Sequence, residues 1–320
     1  MTSIIDVHHH ALPPPYIAEL TAAGIEALPG YSFPAWLPER SLEMMEENGI
    51  ELAVLSVSAP GVYFGERSQT RRLARTCNDY LAELTASESR FGAFGCLPLP
   101  SIEDSLAEAE RVFDQLGFQG VVIYTNNGGI YPGDARLAPL LSYLSERRAV
   151  VFVHPVQPCG QREVALGIRP SILEFVFEST RAATSLIASC RLAEYSGIRW
   201  ILTHGGGTLP YLSERLEHLR RDTAVARRDS LDVETDLATF FFDVASSTRP
   251  HVLSCLTAVA AADRLLFGSD FPFETSVAAA VAELRANPRL ADAELAGLWR
   301  ANAAALLTAK TTCQAGRPTH

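Results

Sequence analysis

At 320 residues with 48% hydrophobic content, the chain is long enough to bury one large core, and an α/β barrel of about 250 residues with trimmings uses that length as a single domain. A net charge of -10 without any cluster of Lys and Arg argues against nucleic acid as a partner, and no apolar stretch approaches the roughly 18 residues needed to cross a bilayer. The start of the chain lacks a cationic segment followed by an export-type apolar core, and six scattered cysteines (Cys77, Cys96, Cys159, Cys190, Cys255, Cys313) form no CxxC pair, so a cytoplasmic protein with reduced thiols is expected.

In chain order, short β-branched or aromatic runs alternate with stretches of helical period. Strands are expected at residues 4–8, 52–56, 92–97, 120–124, 150–154, 200–204, 240–245 and 265–269, the seventh being the weakest signal. Helices are expected at 40–47, 68–87, 102–116, 135–147, 181–195, 208–220, 250–262 and 276–286, with a last one at 292–309 on the outside. Eight strands with intervening helices make the α/β fold a (β/α)8 TIM barrel. One barrel domain is expected over residues 1–309 and a flexible C-terminal tail over 310–320. Two connections, 11–39 and 155–170, exceed a minimal loop and belong on the catalytic face.

Four of the strand runs end on residues that ligate metals. They read Ile4-Ile5-Asp6-Val7-His8-His9-His10, Val150-Val151-Phe152-Val153-His154, Trp200-Ile201-Leu202-Thr203-His204 and Leu265-Leu266-Phe267-Gly268-Ser269-Asp270. Side chains alternate faces along a strand, so His8 and His10 point one way and His9 the other. An HxH pair by itself is weak evidence, and an isolated His154 or His204 is more often a core histidine. Their joint occurrence at the ends of the first, fifth, sixth and eighth strands points to a metalloenzyme, because a parallel barrel collects such ends at one mouth.

These segments resemble the amidohydrolase superfamily, whose members place an HxH pair after strand one, histidines after strands five and six and an aspartate after strand eight. The His154-Pro155, His204-Gly205-Gly206-Gly207 and Gly268-Ser269-Asp270-Phe271-Pro272-Phe273 contexts are most similar to the aminocarboxymuconate-semialdehyde decarboxylase branch. Within it, residues 6–15, Ser58-Ala59-Pro60-Gly61, Thr125-Asn126-Asn127-Gly128-Gly129 and residues 203–211 look most like 6-methylsalicylate decarboxylases. The resemblance spans most of residues 4–308 and implies a barrel of the metal-dependent hydrolase type.

Two-metal members of the superfamily use a carboxylated lysine from strand four. The sole lysine here is Lys310, which leaves a mononuclear site with His8, His10, His154 and Asp270 as ligands and one position open for water or substrate. Zinc suits such imidazole-rich ligation, with manganese or iron as alternatives. His204 is then a proton carrier together with Asp270. The resemblance assigns a substrate-binding role to Arg215, eleven residues after His204. Another arginine of those relatives is replaced by Ser41, with Arg40 one place away. Phe273 and Trp36 are candidate pocket walls, whereas His9, His218, His251 and His320 have no partner pattern.

The leading expectation is a decarboxylase of a small hydroxy-aromatic or conjugated carboxylic acid, of the 6-methylsalicylate type. Hydrolysis of a lactone, amide or conjugated ring by metal-activated water would use the same ligands. A barrel that has lost catalysis and only binds a ligand is a third reading, opposed by the complete ligand set. The resemblance also implies an oligomer, a homodimer at its simplest, although no sequence feature defines an interface.

Overall fold

The computed structural model describes residues 3–25, 27–28, 31–160 and 166–308. Eight parallel strands run in sequence order around one sheet: β1 (Ile4–Ala11), β2 (Ile50–Val57), β3 (Phe91–Cys96), β4 (Gly120–Tyr124), β5 (Val150–His154), β6 (Arg199–Leu202), β7 (Phe241–Asp243) and β8 (Leu265–Leu266). The central strands β4 and β5 are buried at every position, as β-branched runs covered on both faces should be. They pair in unbroken register from Gly120 opposite Val150 to Tyr124 opposite His154. Inside the barrel the rings of Phe94 and Phe152 stack at 5.3 Å, and Phe152 meets His8 edge-on at 5.1 Å. Aromatic packing therefore floors the mouth where the histidines emerge.

The ring closes between β8 and β1 through main-chain bonds just beyond the short eighth strand. Val7 N–H donates to Phe267 O at 3.0 Å, Asp270 N–H to His8 O at 2.8 Å and His10 N–H to Phe271 O at 2.8 Å. Strand β1 pairs Asp6 with Ala53 and then His9 with Leu55, three residues advancing against two. That bulge offsets the ligand-bearing end of β1 from its neighbour.

The helices cover the outside: α1 (Pro14–Ala22), α2 (Pro38–Asn48), α3 (Arg67–Ser87), α4 (Ile102–Asp114), α5 (Ala138–Glu146), α6 (Glu174–Ala188), α7 (Leu209–Leu216), α8 (Val233–Ala238), α9 (Pro250–Leu256), α10 (Val277–Arg285), α11 (Asp292–Ala296) and α12 (Asn302–Thr308). Helices α1 and α8 occupy stretches with no expected helix. Helix α6 begins seven residues before the expected 181 and ends near Cys190, which turns the chain at φ 53°. Strand β8 is shorter than 265–269 because the chain leaves the ladder on its way to Asp270 at φ 57°. The last helix is broken by a π turn at Gly297–Ala301. It joins the N-terminal end of the barrel rather than lying along its outside: Asn302 Nδ2 donates to Leu265 O at 2.9 Å, Arg300 Nε to Glu51 Oε1 at 2.7 Å and the Arg199 guanidinium to Leu306 O. The expected tail, with Lys310, Cys313 and His320, lies outside the described residues.

One buried carboxylate ties this closure together. Asp6 Oδ1 accepts from His8 N–H at 3.1 Å and Ser269 N–H at 3.0 Å, while Oδ2 accepts from Ser269 Oγ at 2.6 Å and His9 Nδ1 at 3.0 Å. His9 Nε2 in turn lies 2.8 Å from Ser41 Oγ, which also accepts from Trp36 Nε1 at 2.9 Å. An amide at position 6 has one acceptor oxygen for donors that arrive on both. Asp6→Asn is expected to lower the unfolding free energy by about 2–4 kcal/mol, measured by urea denaturation; a loss below about 0.5 kcal/mol would contradict this account of closure.

Candidate metal centre and active site

Residues from β1, β5 and the turn after β8 meet at the C-terminal mouth. Ligand atoms of His8, His10, His154 and Asp270 all lie within 4.8 Å of one another. His8 Nε2 is 3.1 Å from His10 Nε2, and each is 3.2 Å from Asp270 Oδ1. The other nitrogens explain why these atoms face inward: His8 Nδ1 is 2.9 Å from Asp243 Oδ2, and His10 Nδ1 is 3.2 Å from Ser56 Oγ. With Nδ1–H donating outward, both Nε2 atoms present electron pairs to each other and to a carboxylate oxygen. A single proton bridges only one such pair, whereas a cation satisfies all of them. The spacing also fits, because tetrahedral ligands at about 2.0–2.1 Å from zinc stand about 3.3 Å apart. His154 Nδ1 is buried without a hydrogen-bond partner among the described residues, and coordination to a cation would satisfy it.

The electrostatics point the same way. Burial pulls His8 down, but the carboxylates of Asp243 and Asp270 outweigh it and raise its pKa to about 10. Burial lowers His10 despite Asp270, and burial with the neighbouring imidazoles holds His154 well below the usual histidine range. Burial pushes Asp270 up, yet the surrounding imidazoles override it and keep the carboxyl well below the carboxylate range. Without metal, therefore, His8 carries a proton at neutral pH while His10 and His154 stay neutral. Three neutral imidazoles and one carboxylate are a donor set for a divalent ion.

Local backbone geometry aims these groups. His204 (φ 54°), Ser246 (φ 51°) and Asp270 (φ 57°) adopt the left-handed conformation although none is glycine, each just beyond the end of a barrel strand. Gly268 is needed for space: a Cβ there would stand 2.7 Å from His8 Cβ. At Gly207 (φ 68°) a Cβ would reach 2.1 Å from Val176 O, so the glycine run after His204 lets the chain press against α6. His204 stands outside the ligand group, with Nε2 3.3 Å from Asp270 Oδ2. Asp270 thus presents Oδ1 to the ligand nitrogens and Oδ2 to His204.

A cavity of about 500 Å³ opens over this cluster, bordered by His10, His154, His204, Asp270, Phe175 and Phe273. The Phe273 ring meets His10 edge-on at 5.5 Å. Two expected substrate residues are not brought to it within this chain. Helix α7 buries Leu209, Pro210 and Leu216, which turns Arg215 outward into a separate groove with Arg181 and His218. Trp36 is buried behind β1 against Ser41, and Arg40 turns away to donate to Ala35 O at 3.2 Å. Ser41 hydrogen-bonds His9 instead of facing the cavity. Asp243, absent from the expected site, holds His8 through Oδ2 and accepts from His204 N–H at 3.0 Å through Oδ1. Its signal was present: Phe240-Phe241-Phe242-Asp243 is another apolar run ending on an acid.

The family model described as Amidohydrolase matches residues 5–308. The chain belongs to the amidohydrolase family. Among its relatives, the 6-methylsalicylic acid decarboxylase acuB of Aspergillus aculeatus is 34% identical over 281 residues, covering 84% of this chain and 84% of its own. A solved structure titled amidohydrolase II superposes with a TM-score of 0.89 at 28% identity, covering 96% of this chain and 100% of that one. A dihydroxybenzoic acid decarboxylase of Polaromonas sp. JS666, solved with bound manganese and the inhibitor 2-nitroresorcinol, shares the fold at a TM-score of 0.83 and 24% identity, covering 96% and 97%.

Two measurements probe the cluster. Because a cation displaces the proton that His8 holds below about pH 10, zinc binding to metal-free protein at pH 7.5 should release about one proton, read by calorimetry in buffers of different ionisation enthalpy, and affinity should rise with pH. No proton release would refute the electrostatic reading. Asp243→Asn should weaken metal binding about 10–100-fold; an unchanged dissociation constant would remove Asp243 from the support of His8.

Proposed function

We propose that this protein is a metal-dependent, non-oxidative decarboxylase of a small hydroxy-aromatic carboxylic acid of the 6-methylsalicylate type. The observation that carries the reading is the divided carboxylate of Asp270, one oxygen on the ligand nitrogens and the other on His204 Nε2. The 34% identity to a 6-methylsalicylic acid decarboxylase supports the same substrate class. His8, His10, His154 and Asp270 would hold one divalent ion, for which zinc is our choice on the strength of three neutral imidazoles. When bound, the ion supplies positive charge that orients the acid's carboxylate and ortho oxygen and withdraws electrons from the ring.

The protein's own groups then manage the proton. His204 and Asp270, 3.3 Å apart, share one proton and deliver it to the ring carbon that bears the carboxylate. The new C–H bond takes an electron pair from the ring. When the carbon–carboxylate bond breaks, its pair returns to the ring and carbon dioxide leaves. Phe273 and Phe175 wall the cavity and exclude water from the protonated ring. Substrate binding by Arg215 would have to arise outside the single chain, since its groove is separate. Exposed Leu166, Ile168 and Ile172 beside the mouth support a homodimer through this face. No described helix is long and apolar enough to cross a membrane, and a cytoplasmic setting is proposed alongside.

Metal-loaded protein offered a panel of 2-hydroxybenzoic acids in ¹⁸O-water should release carbon dioxide and yield a phenol without ¹⁸O. Label incorporated by hydrolysis, with the carboxyl group retained, would replace this reading with the hydrolase. His204→Ala should keep its metal and lose about 10²–10⁴-fold in kcat; full activity in that variant would end the role given to His204.

A further inference from the structure

The chain carries a net charge of -10, and two carboxylates, Asp270 and Glu274, border the cavity over the ligand cluster. An aromatic acid arrives there as an anion, and positive charge on the wall offsets that repulsion. Among the described residues, Arg169 is the one lysine or arginine on this border, and its guanidinium stays charged at any working pH. The other candidate arginines lie elsewhere: Arg215 opens into the separate groove, and Arg40 donates to Ala35 O. Local structure fixes where Arg169 emerges. Its backbone is extended (φ -61°, ψ 133°), as the following proline favours, and its carbonyl accepts from Ile172 N–H at 3.0 Å to close the turn Pro170–Ile172. Pro170 is buried and Arg169 exposed, which anchors the main chain and leaves the side chain at the rim. The hydroxyls of Ser58, Ser171, Ser246 and Ser247 also line the wall, but a hydroxyl donates to a carboxylate and to a neutral amide alike. A guanidinium favours the anion.

We propose that Arg169 recognises the substrate's carboxylate, pairing its guanidinium with the carboxylate oxygen that faces the rim. This rests on the decarboxylase reading and deepens it. An ortho-hydroxy acid that turns its phenol oxygen and one carboxylate oxygen toward His8, His10, His154 and Asp270 leaves the second carboxylate oxygen for a donor on the wall. The contact belongs to the ground state. It dissolves as the carboxylate becomes neutral carbon dioxide, so it tightens substrate binding without favouring the transition state. The phenol that remains has no carboxylate to hold, and Arg169 thereby separates substrate from product.

The test uses a pair of nearly equal shape that differs in charge, 2-methylbenzoate and 2-methylbenzamide, titrated into the zinc-loaded protein. Neither carries the ortho hydroxyl that assists ring protonation, so neither turns over. The parent protein is expected to bind the acid more tightly than the amide. Arg169→Gln is expected to shrink that acid-to-amide ratio about five- to ten-fold with zinc content unchanged, and Arg169→Lys, which keeps the charge but not the planar fork, to recover part of it. Raising the salt from about 0.05 M to about 0.5 M should erode the preference of the parent more than that of Arg169→Gln. A ratio unchanged in Arg169→Gln overturns the proposal, even if both ligands then bind more weakly, because that pattern assigns the side chain to wall packing. A lysine variant no better than glutamine also overturns it. The readout needs no turnover, so failure here leaves decarboxylation to be judged on carbon dioxide release alone.

Discussion

Everything at the mouth of the barrel follows from three electron-pair-bearing atoms, His8 Nε2, His10 Nε2 and Asp270 Oδ1, meeting at 3.1–3.2 Å. They need positive charge between them: without metal the proton on His8 supplies it, and a cation that displaces that proton turns the same atoms into a ligand set. The surroundings enforce it. Asp243 takes the outward nitrogen of His8, Asp6 holds the main chain of His8 and Ser269, and Gly268 leaves room for the imidazole to pass. Buried carboxylates are costly unless fully hydrogen-bonded, and both Asp6 and Asp243 are.

Asp270 links charge to chemistry. Its two oxygens look in different directions, and the left-handed turn that carries it lies on the same rim as that of His204. His204 is thereby tied to the cluster of His8, His10 and His154 through one carboxylate. Strain at these positions is balanced by the rigid ladder of β4, β5 and β6 and by the Phe94 and Phe152 stack beneath them. The scaffold is stiff where the ligands leave it.

The barrel and the convergence of His8, His10, His154 and Asp270 were legible because apolar runs with period-two geometry end abruptly on His or Asp, and parallel strands deliver their ends to one face. The same logic applied to β7 would have found Asp243, but its run is short and only Phe241–Asp243 forms strand. Asp6 was hidden because its function is a set of contacts to Ser269, 263 residues away, and sequence spacing carries no such information. Arg215 and Trp36 illustrate another limit. Eleven residues along the chain from His204 says nothing about which face of α7 a side chain occupies, and the buried positions Leu209 and Leu216 decided that. Trp36 follows Ser41, and Ser41 follows His9, on the far side of β1.

The claim beneath all of this is that His8, His10, His154 and Asp270 grip one shared ion. A crystal structure of the zinc-loaded protein with anomalous scattering recorded at the metal edge measures it directly. The account predicts a single anomalous peak at about 2.0–2.2 Å from one atom of each of the four residues. A peak elsewhere, a second ion at the mouth, or one of the four side chains turned away from the metal would contradict it.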